Sequence, residues 1–238
     1  MRALRITLVV LVVLSGLFIA ADRIALSMAE DEAAKKVKEA QGVAGAESAS
    51  VSIHGFPFLT QVASKELDDV DVELTGMTAA AGGQEVTVTR VDASLSDVTI
   101  GGNFDSATAK EATGEADVSY RDLNAIAPAG VQVAYAGEER AAKNQVKISA
   151  KIDVLGREVE VPSPIYSTVK VTEKNTLQLH AETIPGSSIP GAEREIRKNV
   201  DFSTTVAGFP DGLELDEAET TADGVTFSLK GKDVELTS

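Results

Sequence analysis

Cysteine is absent from the 238 residues. That excludes disulfide staples, thiolate metal sites and cysteine nucleophiles, and leaves stability to the buried core alone. Tryptophan is absent as well and aromatic residues make up only 4% of the chain, so stacking platforms for sugars are excluded and the core must be aliphatic. Positive charge is scarce: Lys and Arg total 22 against 37 Asp and Glu, a net charge of -15. Nucleic-acid binders neutralise phosphates with clustered cations, so nucleic acid is excluded as a partner, and loose adhesion to anionic lipid is disfavoured. No G-x-S-x-G, G-x-x-x-x-G-K-[ST], H-E-x-x-H or G-x-G-x-x-G motif occurs, and the two histidines, His54 and His180, fall on the polar faces of alternating segments. The sequence offers no catalytic residue, cofactor motif or metal centre. The trio Asp69, Asp71 and Glu73 shares one face of a strand, where a solvated surface is the plainer reading than a hard-cation site.

What is present starts at the amino terminus. Arg2 and Arg5 precede an uncharged apolar run from Ile6 to Ala21, followed by Asp22 and Arg23. The run is longer than most signal-peptide cores and shorter than the roughly 20 residues of a comfortable spanning helix. Two readings stay open for residues 1–23: a retained anchor, with Arg5 and Arg23 reaching the two interfaces, or a cleaved signal peptide, with Ala20 and Ala21 or the Ala25, Ser27 and Ala29 positions as peptidase sites. Either way the amino terminus stays in the cytoplasm and the remainder is exported. Residues 24–45 read as a helical connector, with Ile24, Met28, Ala33 and Val37 along one side and Gly42 and Gly45 ending it.

From Ser48 the apolar period becomes two. Val51 and Ile53, then Val70, Val72 and Leu74, then Val146, Ile148, Ala150, Ile152 and Val154 alternate with polar residues, as in half-buried antiparallel strands. The same pattern returns at Ile165, Val169 and Val171, at Leu177 and Leu179, at Leu213 and Leu215, and at Val225, Phe227 and Leu229. Between Glu85 and Ile100 the apolar phase slips twice, from Val86 and Val88 to Val91, Ala93 and Leu95, then to Val98 and Ile100. Such slips predict bulges that bend a sheet. Two helices interrupt the strands: a short one from Tyr120 to Ala127, stopped by Pro128, and one after Pro190 with Ile189, Ala192, Ile196 and Val200 on a stripe. The fold class is therefore α+β, a long curved antiparallel sheet wrapping around one or two helices, behind an N-terminal membrane helix, with residues 46–238 as one exported domain.

The sharpest local feature is Gly55-Phe56-Pro57-Phe58-Leu59, which gathers two of the seven phenylalanines around a proline just after a strand. Pro57 ends ladder pairing and the rings are pushed to different sides of a bend. It reads as a corner plugged by aromatics or as the rim of an apolar cavity. Gly208-Phe209-Pro210 is a fainter echo before the strand of Leu213 and Leu215.

The segment His54-Gly55-Phe56-Pro57-Phe58-Leu59-Thr60-Gln61 with the strand Val70 to Leu74, and the stretch from Phe209-Pro210-Asp211-Gly212-Leu213 to Lys230-Gly231, resemble the LmeA-like phospholipid-binding proteins of actinobacterial cell envelopes. The final corner departs from the family's expected Leu-Pro and small apolar residue by carrying Asp211. The resemblance implies a fold similar to the tubular lipid-binding proteins, an elongated apolar groove, phospholipid as ligand, and a supporting role in lipoglycan assembly beside envelope glycan-assembly enzymes.

Position beside these corners, or on the apolar helix stripe, selects Phe56, Phe58, Leu59, Val62, Ile189, Ile196, Phe202 and Phe209 as candidate acyl-chain contacts, each of which fits plain core equally well. Arg194, Arg197 and Lys198 form a basic patch suited to a head group, or to easing the dipole at a helix carboxyl end. Two other function classes stay in view, a structural or interaction domain with a filled interior and a secreted hydrolase.

Overall fold

In the computed structural model, which describes residues 2–39, 46–81, 83–102, 106–154, 157–161, 163–173, 175–184, 192–207 and 209–237, the chain opens with a single long helix, α1 (Arg2–Glu39). It is followed by β1 (Ser48–Ile53), α2 (Phe58–Ser64), β2 (Glu66–Ala81), β3 (Gln84–Ile100), β4 (Ser106–Ser119), α3 (Tyr120–Ile126), β5 (Val131–Tyr135) and α4 (Glu138–Ala141). Then come β6 (Gln145–Val154), β7 (Arg157–Glu160), β8 (Ile165–Thr172), β9 (Thr176–Thr183), α5 (Ala192–Val200), β10 (Phe202–Ala207), β11 (Leu213–Thr220) and β12 (Gly224–Thr237). The expected glycine stop at Gly42 and Gly45 lies outside the described residues.

All pairings are antiparallel, in the order β11-β12-β4-β3-β2-β10-β9-β8-β6-β5, with β1 added on β2 and β7 on β6. The sheet curls until it nearly closes, which bears out the expected curvature. Asn175 fastens the approaching parts: its carbonyl accepts the Val206 N–H at 2.9 Å and its Oδ1 accepts the Leu215 N–H at 2.8 Å.

The bending has an identifiable source. Between β2 and β3 the register runs Leu67↔Val98 then Asp69↔Ser96, between β3 and β4 Ser96↔Glu111 then Val98↔Ala109, and between β12 and β4 Lys232↔Glu111 then Val234↔Ala109. Asp68, Asp97, Lys110 and Asp233 thus stand in line across four strands at the step left out of each ladder. Asp97 and Asp233 adopt left-handed backbone angles, φ 52° and 49°, a conformation Asp tolerates better than bulky residues. Across this crease the inward positions are spaced by three instead of two, Leu67 to Val70, Leu95 to Val98 and Ala109 to Ala112, so all six stay buried in one cluster. A second slip, Leu74 to Met77 on β2, surrounds Gly76 at φ 64°. The two slips expected on β3 are these creases.

The buried side chains form two clusters. One joins β1, α2 and the halves of β2, β3, β4 and β12 nearest the crease, around Ile53, Phe58, Leu95 and Val234. The other joins β5, β6, β8 and β9 with the far halves of β3, β4, β11 and β12, and takes in Ile196 and Val200 of α5. Leu123 and Ile126 of α3 pack against that second cluster. Both helices expected inside the sheet are therefore present there.

Two short helices were not foreseen. α2 and α4 span seven and four residues, too few turns for an apolar period to show. The stripe expected on the connector is half right: Ala33 and Val37 pack on the first cluster, together with Ala25, Leu26, Ala29 and Ala34, whereas Ile24 and Met28 are 63% and 68% exposed. Four alanines let the helix backbone approach β1 closely, a geometry that bulkier Ile24 and Met28 do not allow.

Candidate functional site

The first corner is built from β1 outward. Gly55 turns the chain at φ 96°, and a Cβ there would collide with the side-chain amide of Gln61. Gln61, itself buried, donates to the His54 carbonyl at 3.1 Å and accepts from the Asp68 N–H at 2.9 Å, pinning the corner to the start of β2. The Phe56-Pro57 peptide is cis. Pro57 precedes α2 with no side chain able to cap it, and Lys65 ends the helix in the left-handed region at φ 61°.

The missing cap comes from α1. Asp22, fully buried, accepts the Leu59 N–H on Oδ1 at 2.8 Å. An acceptor at that place satisfies one of the amide donors that every helix start leaves open. Arg23 donates to the same carboxylate through Nε at 3.1 Å, and its guanidinium stands 5.3 Å from the centre of the Phe56 ring, within cation–π range. Glu30, two turns on, accepts the Ile53 N–H at 2.9 Å, and Lys38 donates to the Glu47 carbonyl at 2.8 Å. From Asp22 onward α1 is thus bonded to the domain at both ends of β1.

The two rings of the corner part company as expected. Phe58 is 4% exposed within the first cluster, while Phe56 is 60% exposed. Leu59 and Val62 are half-buried, and Val62 packs on that cluster. Phe56 forms one side of a recess of about 410 Å³ whose other side is Leu14, Ser15, Phe18 and Ile19 of α1. A second recess, about 230 Å³, lies at the other corner, where Phe209, Pro210, Asp211 and Gly212 meet Asn175 and Val206. Phe209 is half-buried there. Gly212 is required at φ 90°, since a Cβ would stand 2.7 Å from the Lys232 carbonyl oxygen.

The other candidates fall elsewhere. Ile196 is 2% exposed in the second cluster. Phe202 starts β10, where it pairs with Leu179, but its side chain, like all of Ile189, lies outside the description. Arg197 clamps α5 onto β9: it donates to Asp201 at 2.9 Å, to Glu193 at 3.1 Å and to the Ala181 carbonyl at 3.1 Å. Hydrogen bonds to Asp201 and Glu193 hold its proton more firmly than usual. Arg194 and Lys198 are exposed on the same helix. The structure therefore gathers Phe56, Phe58, Leu59 and Val62 at one corner and leaves Ile196 and the α5 cations with the other cluster. Sequence reasoning missed that Asp22 and Arg23 reach this corner, since Leu59 and Phe56, which they meet there, lie more than thirty positions away.

The remaining polar candidates are tied into the sheet. Asp69 accepts from Ser96 at 2.8 Å, Asp71 from Ser94 at 2.6 Å and from His54 at 2.8 Å, and Glu73 pairs with Arg90 at 3.2 Å. The Ser94 hydroxyl, then His54, hold the Asp71 carboxyl below its ordinary pKa. His180 faces Asp201 at 3.4 Å. Among the described residues no three histidine or carboxylate groups converge as a metal site would need.

Residues 20–230 match the family model described as LmeA-like phospholipid-binding. The chain belongs to that family. No curated protein and no solved structure is matched alongside it. The matched region begins just before Asp22, so it takes in the half of α1 that caps α2 and covers β1, as well as both phenylalanine-proline corners. Membership in the LmeA-like family supports lipid binding in general for this chain, and α1 as a whole is a helix long and apolar enough to cross a membrane.

Proposed function

We propose that the protein holds an acyl chain of a phospholipid at the first corner, as a non-enzymatic component of cell-envelope lipid or lipoglycan assembly. One observation carries the location: in a domain of this phospholipid-binding family, Phe56 is an exposed ring facing an apolar recess. Phe56 with Leu14, Phe18 and Ile19 of α1 forms the contact surface, Leu59 and Val62 stand beside it at the same corner, and Phe58 is buried in the first cluster. Each methylene sheltered there contributes about 0.8 kcal/mol, so covering even part of a chain gives useful affinity. The head group stays in water and needs few polar partners. The domain works on the extracytoplasmic side, held by α1, where glycan-assembly enzymes that use lipid carriers are its partners.

A second reading, an interaction domain with a filled interior, is favoured by Ile196 and Val200, which lie in the second cluster at 2% and 0% exposure. The two separate on lipid retention. Full-length protein washed exhaustively in detergent and extracted for phosphorus analysis retains a stoichiometric phospholipid if the corner is a lipid site, and Phe56→Asp releases it. Protein that retains no phospholipid under any washing condition overturns the proposal and leaves the filled domain.

A further inference from the structure

We infer that the mouth of the lipid site opens inside the membrane leaflet from which α1 emerges, with α1 itself as one wall and Arg23 at the level of the lipid phosphate. The occupant is an acyl chain of a glycerophospholipid of that leaflet. This rests on the proposed acyl site and adds where the lipid enters.

The first support is the depth of Phe56. The residues across from it precede Asp22 along α1: Ile19 and Phe18, then Ser15 and Leu14. At 1.5 Å per helical residue they lie about 4 to 12 Å on the membrane side of the Asp22 cap. Phe56 therefore hangs below the point at which the helix meets the domain, alongside the apolar run.

The second support is the length of the span. The run from Ile6 to Ala21 covers about 24 Å, less than the roughly 30 Å of a hydrocarbon core. Asp22 and Arg23 would normally end it. Here Asp22 is fully buried, bonded to Leu59 and paired with Arg23, so its charge is not presented to lipid. Ile24 and Met28, exposed on the outward side, then extend the apolar surface past the pair. With the missing length supplied beyond Ala21, the first corner sits at the membrane surface or within it, and an exposed phenylalanine beside a cation is at home there.

The third support is rigidity. Asp22, Glu30 and Lys38 bond α1 to the domain along β1. The corner cannot swing away from the bilayer, so the recess is held open to one leaflet. Arg23, whose side chain is 45% exposed, donates from Nε and one terminal nitrogen to Asp22, which leaves its other terminal nitrogen for a phosphate.

The absence of tryptophan gives a clean test. Full-length Phe56→Trp, reconstituted in phosphatidylcholine vesicles, carries a single indole. Because Phe56 is exposed, the replacement leaves the fold intact, and Phe18→Trp on the opposite wall serves as a second reporter. Gln132→Trp on β5, at the other edge of the sheet, reports a site away from α1. Vesicles with acyl chains brominated near the ester quench the reporters at 56 and 18 several-fold more than the one at 132. Equal, weak quenching at positions 56 and 132 overturns the inference. Phosphorus analysis of the detergent-washed full-length protein before reconstitution keeps the two levels apart: a water-exposed Trp at 56 with phospholipid still retained by the unsubstituted protein sinks the entry route alone, whereas no retained phospholipid sinks the site itself.

Discussion

Asp22 Oδ1 accepts the backbone N–H of Leu59 at 2.8 Å across 37 positions of sequence. A carboxylate at the end of the apolar run thus completes a helix that its own N-cap, Pro57, cannot complete. The bond ties the fate of the first corner to the retention of α1, since cleavage after Ser27 or Ala29 would remove the cap, and cleavage after Ala21 would leave it on a free end.

Asp22→Ala should destabilise the domain by about 1 to 2 kcal/mol, the usual cost of a lost cap. Asp22→Asn, which keeps an acceptor, should cost less. Chemical denaturation of the full chain in detergent measures the difference, and hydrogen exchange at the Leu59 amide locates it. Equal stability of all three proteins would show that the bond does not form.

Burial, reinforced by Tyr135, raises the Tyr120 hydroxyl from about 10 to about 12, and its proton is donated to the Thr221 carbonyl at 2.9 Å. Because the folded value lies above the unfolded one, the contribution is complete below pH 10 and is lost as pH rises through 12. Absorbance titration of tyrosinate should show a late step that Tyr120→Phe removes. If the variant leaves the late step in place, the assignment is wrong.

At the crease, Asp97 holds φ 52° and pairs with Lys110 at 3.2 Å. Asp97→Val should lower stability by roughly 1 to 3 kcal/mol, because a β-branched residue is strained there. Asp97→Gly should be close to neutral. Thermal melting of the pair decides, and indifference to valine would mean that the strand does not crease at this residue.

Ile196 and Phe56 should part in their effects. Ile196→Ala empties part of the second cluster and should cost about 2 to 5 kcal/mol, whereas Phe56→Ser, at an exposed position, should change stability by about 0.5 kcal/mol or less. Denaturant midpoints read both, and a large loss of stability at Phe56 would reveal a packing role there.

Much of this architecture was legible in the sequence because half-buried strands write their inward face at every second residue. The slips on β3 were legible for the same reason: Leu95 and Val98 are three apart, and only a crease can bury both. Other features leave no local trace. α2 is too short to show a period, and Asp22 looks like the ordinary polar end of an apolar run until Leu59 is brought beside it. Ile24 and Met28 matched a helical stripe with Ala33 and Val37, but packing on the first cluster kept Ala33 and Val37 and selected Ala25 and Ala29 in place of the two bulkier residues. Ile196 illustrates the ambiguity of an apolar residue on a helix face, which reads alike whether it meets ligand or core.

The central claim is that a phospholipid acyl chain lies between Phe56 and α1. Full-length protein reconstituted with a phospholipid carrying a photoactivatable diazirine in its acyl chain, irradiated and mapped by peptide mass spectrometry, tests it directly. The account predicts adducts at the Phe56 to Val62 corner together with Phe18 and Ile19. Adducts confined to the Leu4 to Val13 part of α1, with none on the corner, would contradict it.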